Sequence, residues 1–272
     1  MLSPFFLIIP GICYLLASGL ILLDQFRDFK SGARIATGLI WSSLAIHIFL
    51  LVMRFEQMPE AMFTGIREFS VALSALLVIG YLITARWLRG LGIAGAVMCV
   101  AGLILITTAP SLLYQPQAVP LILSNPLLLI HVPLVLLAYL AFALAAMGSV
   151  MYLLISDLLK ARRPVAISHK LPTLDSLEQF NQRMTRSGFL FLSAGIILGM
   201  IWSSSVWHTL IPKSPKMILA LVAWAIYAVY FYLMHTRKIR GRYCAWLLIT
   251  GFILIIIGLL APVITGGPHK FI

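Results

Sequence analysis

Charge is what this sequence has least of. Only 10% of its 272 residues are charged, with eight acidic side chains against twenty basic ones. A soluble domain carries about a quarter charged residues, so an ordinary water-soluble fold is excluded. The carboxylates are Asp24, Asp28, Glu56, Glu60, Glu68, Asp157, Asp175 and Glu178, and none falls in the middle of an apolar run. Proton-driven pumps and cation carriers need an ionisable group at membrane depth to bind and release charge. Their absence counts against a transporter. Cysteine is as scarce: Cys13, Cys99 and Cys244 stand singly, with neither CxxC nor CxxCH. That excludes a thiol–disulfide motif and a covalent c-type attachment site within the chain. There is also no internal repeat of the kind that marks many secondary transporters.

What the chain does have is apolar length. Hydrophobic residues make up 61% of it, and the mean hydropathy is +1.03. A helix needs roughly 20 apolar residues to cross a bilayer. Eight runs approach that length, at 5–23, 35–53, 69–85, 91–109, 127–156, 187–208, 217–235 and 244–265. They are continuous rather than alternating, as lipid-buried helices require and barrel strands do not. The expectation is an all-α, polytopic helix bundle forming a single transmembrane domain over 1–272. The fifth run exceeds what a bilayer needs, so it tilts or protrudes. The first run lacks the basic segment that precedes a signal peptide's apolar stretch, and its charges (Asp24, Arg27, Asp28, Lys30) follow it. It reads as a span.

The excess of positive charge is a topology signal, not a nucleic-acid footprint. With the segments assigned alternately and the N-terminus outside, the inner loops hold fifteen of the twenty basic residues, including six between Lys160 and Arg186. The outer side keeps Arg54, Arg67, Lys213, Lys216 and Lys270. Such a bias is the positive-inside pattern, and it puts both termini outside. The longest hydrophilic stretch, residues 160–187, is then cytoplasmic. It opens as a basic linker and continues as a short amphipathic helix, with Thr173 as N-cap and Leu174, Leu177, Phe180 and Met184 along one face.

The histidines sort by depth. His47 lies in the outer half of the second run, His131 opens the fifth, His208 closes the sixth and His269 follows the eighth. His235 sits at the inner end of the seventh, and His169 lies in the inner loop. Four of six therefore gather toward the outer face. A neutral imidazole ligates metals, and two facing imidazoles hold a heme iron axially. No pair has a local ligand spacing such as HxxxH, so any site is assembled between helices. His208 beside Trp207 also fits an ordinary aromatic belt.

Four segments carry a resemblance: "IHVPLVLLAYLAFALAAMGSVMYLL", "LPTLDSLEQFNQRMTRSGFLFLSAGIILGMIW", "LVAWAIYAVYFYLMHTR" and "GGPHKF". Their order and spacing resemble the CcsA-type cytochrome c assembly family, nearest its short YpjD- or HemX-like branch. The likeness covers about 125–272, and more loosely 65–82. It implies a heme-handling core over spans 5–8 in a bacterial inner membrane, with non-covalent heme b as cofactor. By motif, His131 resembles one outer axial ligand and His269 the other, while His235 resembles an inner histidine linked to heme entry. His47 has a counterpart in the short branch, with no role carried over. Family synthases bear a WGxxWxWDPKE motif. Here the corresponding stretch reads "WSSSVWHTLIPKSPKMI", which keeps Trp202 and Trp207 and echoes Pro-Lys at 212–213 or 215–216. Trp202, Trp207 and His208 would form the platform, and Lys213 or Lys216 would pair with propionates. The later tryptophans and the acids are gone, which argues against full cytochrome c synthase activity.

Three readings follow. The first is a heme-binding membrane protein that presents or moves heme, with His131 and His269 as bis-histidine ligands at the outer face. Its partners would be lipid, heme, and other cytochrome c biogenesis or heme-biosynthesis proteins. His235 stands a span's length from the outer face, about 27 Å for 18 residues, so a second station is expected there. The alternative is a non-enzymatic membrane regulator or assembly factor acting through 160–187 on a cytosolic partner. A small-solute or metal transporter is the third reading, disfavoured by the missing carboxylates.

Overall fold

The computed structural model describes residues 4–27, 30–57, 66–84, 92–108, 126–161, 171–210, 215–236 and 240–265, and among these every regular element is helical. A single 3-10 turn, Pro4–Leu7, leads into α1 (Ile8–Arg27). There follow α2 (Lys30–Gln57), α3 (Ile66–Thr84), α4 (Gly92–Thr108), α5 (Pro126–Lys160), α6 (Leu174–Trp207), α7 (Pro215–His235) and α8 (Arg242–Thr265). Each helix falls on one of the eight apolar runs. Five of them, α2, α5, α6, α7 and α8, are long and apolar enough to cross a membrane. The apolar stretches of the others, Ile8–Asp24, Glu68–Thr84 and Gly95–Thr108, are shorter, at or below the lower bound of about 17 residues for a span.

The surface is that of a lipid-facing bundle. Leu154, Leu190 and Ile197 stand 58–64% exposed, while Ser18, Ser43, Ser74, Ser149 and Thr185 are buried. Apolar side chains gain nothing by leaving hydrocarbon, so helices associate through close packing of small residues and hydrogen bonds between helices.

The chain forms two compact units. One holds α1–α4 with the segment Leu154–Leu177, and the other holds α5 through Leu153, α6 from Glu178, α7 and α8. In the first unit α1 packs on α2 and α4. Gly11 of α1 faces Gly102 of α4, and seven residues along each helix the Ser18 hydroxyl donates to the Gly95 carbonyl at 2.9 Å. The two helices are therefore antiparallel, with one heptad of matched small residues. A Cβ on Gly102 would come within 2.7 Å of the Gly11 carbonyl oxygen, so glycine is required there. Between α2 and α3, the Arg54 guanidinium pairs with Glu68 at 2.8 Å.

In the second unit the partners step down α5 as they step up α6. Asn181 Nδ2 donates to the Ser149 hydroxyl at 3.1 Å, Gly188 lies under the Phe142 ring, and Gly195 meets Val135. Gly199 meets His131, and Trp202 packs on Leu128. The steps of seven, seven, four and three residues are the same on both helices. That is the spacing of an antiparallel seam of interlocking side chains. On α7, Tyr227 stacks on Phe142 with ring centroids 3.9 Å apart, and Gly251 of α8 lies under the same tyrosine. Trp224 Nε1 donates to Ser193 Oγ at 2.9 Å, tying α7 to α6.

The amphipathic stretch after Pro172 begins where Thr173 predicts. The Ser176 amide donates to the Thr173 hydroxyl at 3.2 Å, an N-cap that satisfies one of the helix's free donors. The stretch runs on without a break, so 174–187 forms the opening turns of the 34-residue α6. Leu177 and Phe180 of its apolar face are buried.

Candidate functional site

At the end of the α5–α6 seam the chain sets a histidine against bare backbone. His131 Nδ1 lies 2.8 Å from the carbonyl oxygen of Gly195. A carbonyl only accepts, so Nδ1 carries the proton and Nε2 keeps its lone pair. An imidazole whose one nitrogen is fixed by a backbone carbonyl is oriented to ligate a metal through the other. Gly199, one turn further on, leaves room for the ring: a Cβ there would sit 3.0 Å from His131 Cε1 and 3.4 Å from Nδ1. Gly195 and Gly199 are thus a cradle, and His131 lies half-buried in it.

The neighbouring aromatic is part of the same seam. Trp202 is 6% exposed and packs with Leu128, Leu127, Val132 and Val206. Its indole is a wall of the helix pair, three residues beyond Gly199. The helix then ends abruptly. His208 adopts a left-handed conformation with φ of 53°, a geometry usual for glycine at the residue after a helix and uncommon for other residues. Its amide donates to the Ser204 carbonyl at 3.1 Å, and the Ser203 hydroxyl donates to the Thr209 carbonyl at 2.6 Å. These bonds lock the turn and leave the His208 side chain exposed. The side chain of Trp207 and the whole of His269 lie outside the described residues.

His235, the last residue of α7, is exposed. It lies 19 residues from Lys216 in the first turn of the same helix, about 28 Å along the axis. His131 belongs to the Lys216 end, so His131 and His235 occupy opposite ends of the second unit. The His235 end is polar: Glu178 is coupled electrostatically to Tyr152, Tyr230 and Cys244, with Arg186, Arg240 and Arg242 alongside.

His47 belongs to the first unit and is fully buried. The Val71 backbone lies against it, yet neither ring nitrogen makes a hydrogen bond of ordinary geometry. Tyr14, its ring centroid 6.2 Å from the His47 ring, and Ser43, one turn before it on α2, likewise bury hydroxyls without a partner. Among the described residues no group of three or more His, Cys, Asp or Glu side chains is placed to hold a metal ion. Any metal held at His131 is therefore carried in a ligand of its own. A single imidazole with an oriented lone pair, beside an indole wall and without carboxylates, suits the axial side of a metal porphyrin.

Sequence reasoning missed the cradle. The signal was present in the spacing of Gly188, Gly195 and Gly199, but it acquires meaning only once α5 is known to lie across it.

The fold and the site together describe a membrane helix bundle with a ligand histidine at a helix end. The chain belongs to the family described as cytochrome C assembly protein, whose family model matches residues 7–266. Protein HemX of Brevibacillus brevis is 35% identical over 144 residues, covering 53% of this chain and 53% of that protein. Cytochrome c biogenesis protein CcsA of Synechococcus sp. (strain RCC307) is 31% identical over 109 residues, 40% of this chain and 33% of that protein. The matched stretch thus spans about half or less of these relatives' length. A solved structure of the cytochrome c heme lyase CcmF superposes with a TM-score of 0.68 at 14% identity, covering 97% of this chain and 49% of that one. That likeness is one of fold.

Proposed function

We propose that this protein handles heme in the bacterial inner membrane, presenting or moving it at the outer face through His131 with His269 as the second axial ligand. The observation that carries the reading is the Gly195 carbonyl bond to His131 Nδ1, which frees Nε2 toward a ligand. Heme would supply an iron that takes two axial nitrogens and a flat face for aromatic contact. The chain's own residues do the rest. Gly195 and Gly199 fix the imidazole, Trp202 walls the seam, and Trp207 with His208 borders the outer end. His235 would mark a second, inner station.

Eight spans with both termini outside remain the topology of this reading. Its partners are lipid, heme and proteins of cytochrome c or heme biosynthesis, with no nucleic acid. The altered tryptophan motif points away from complete cytochrome c synthase activity. The regulator reading draws on the likeness to HemX, but burial of Leu177 and Phe180 leaves only the polar face of 174–187 for a partner.

The test is an absorption spectrum of the protein purified in detergent, oxidised and dithionite-reduced, beside a His131→Ala His269→Ala variant. Sharp reduced bands of six-coordinate b-type heme, lost or shifted in the variant, support the reading. A colourless protein that also ignores added hemin would leave the regulator in front.

A further inference from the structure

The second unit has an unbalanced charge at the His131 end. Phe142 and Tyr227 stack at 3.9 Å and register α5 against α7, two helices that run in the same direction because each is antiparallel to α6. Eleven residues before each of them stand His131 and Lys216. Eleven residues are about three turns, or ~16.5 Å, so both fall on the same faces and at the same depth as each other. The charge of Lys216 accordingly acts on the His131 ring.

Lys216 is half-buried, and no carboxylate pairs with it among the described residues. Nor does the unit have one to offer at that end. Its sole acidic side chain is Glu178, 21 residues from Gly199 along α6, about 31 Å away. The ammonium also sits in the first turn of α7, where the helix dipole favours an anion rather than a cation. An unpaired cation in that position calls for negative charge from outside the chain.

We infer that Lys216 receives a carboxylate of the ligand that His131 binds, which makes the pair a two-point reader of a dicarboxylate metal porphyrin. The inference rests on the heme reading above and adds the group that selects among porphyrins. A lysine ammonium holds a carboxylate as a point charge and tolerates arginine in its place better than a neutral side chain.

The experiment titrates full-length protein in detergent with hemin and with hemin dimethyl ester, whose propionates are uncharged, following the Soret band. Wild type, Lys216→Met, Lys216→Arg and His131→Ala are compared. Wild type is expected to bind hemin about tenfold more tightly than the ester, the size of one charge-assisted hydrogen bond. Lys216→Met should bind both ligands with the ester's affinity, and Lys216→Arg should keep most of the preference. Binding of the ester serves as the folding control. If Lys216→Met keeps the wild-type preference, or wild type has none, the ammonium faces lipid phosphate or solvent and the inference is overturned while the heme reading stands. If wild type binds neither ligand in a His131-dependent way, the heme reading itself fails.

Discussion

The His131 imidazole is held by the absence of side chains, which makes one methyl group consequential. Gly199→Ala would put a Cβ 3.0 Å from Cε1, closer than carbon atoms normally approach, so the ring must turn away from the Gly195 carbonyl. Hemin affinity is expected to fall about tenfold, roughly 1.4 kcal/mol, with little change in melting temperature. A titration beside a thermal melt separates the two effects. Gly199→Val should abolish the His131-dependent spectrum. His47 is a different kind of residue. Its two nitrogens and the Tyr14 and Ser43 hydroxyls are buried without partners, and such groups each cost about 1–3 kcal/mol relative to a satisfied state. If the trio is purely internal, His47→Leu leaves stability equal or higher and the outer spectrum unchanged. Loss of a heme band in that variant would make His47 a ligand. The histidines were legible as candidates because an imidazole at membrane depth is expensive. Their tautomers and cradles were not, since those depend on which backbone lies opposite.

At the scale of helices, the number and limits of the elements could be read directly, because backbone in lipid must satisfy its own hydrogen bonds and long apolar runs have no other choice. The N-cap at Thr173 was equally plain. Pairing was not legible: hydrophobicity does not single out a packing face when the surroundings are also apolar. Small residues do so instead, and they predict opposite outcomes at two glycines. Gly102→Ala drives a Cβ to 2.7 Å from the Gly11 carbonyl and should destabilise the α1–α4 pair by about 1–3 kcal/mol. Gly19→Ala, with nothing within 4 Å of the new atom, should be neutral or stabilise by about 0.5–1 kcal/mol. Melting curves in one detergent decide both. Equal effects at the two positions would disprove the packing assigned to α1 and α4.

For the whole molecule, about 28 Å of α7 between Lys216 and His235 exceeds what one porphyrin bridges. The two histidine ends act as separate stations or only one acts. His235→Ala is therefore expected to leave the His131-dependent bands in place while removing or shifting any second component. Coordinated loss of all bands would instead mean a single shared site. Topology has its own check. The concentration of basic residues between Lys160 and Arg186 predicts an inner loop, so a phosphatase joined after residue 272 should be active and one joined within 162–170 silent. The chain matches about half of HemX and a third of CcsA, and whatever the remaining parts of those relatives do is not required for the His131 cradle.

The most direct test is chemical rescue at His131. Hemin-loaded wild-type protein, frozen in the ferric state, should give the low-spin electron paramagnetic resonance signal of two nitrogen axial ligands. His131→Gly should lose that signal, and millimolar imidazole should restore it by filling the space between Gly195 and Gly199. A His131→Gly protein whose low-spin signal is unchanged without imidazole would mean that the iron is held elsewhere and that the cradle is only packing.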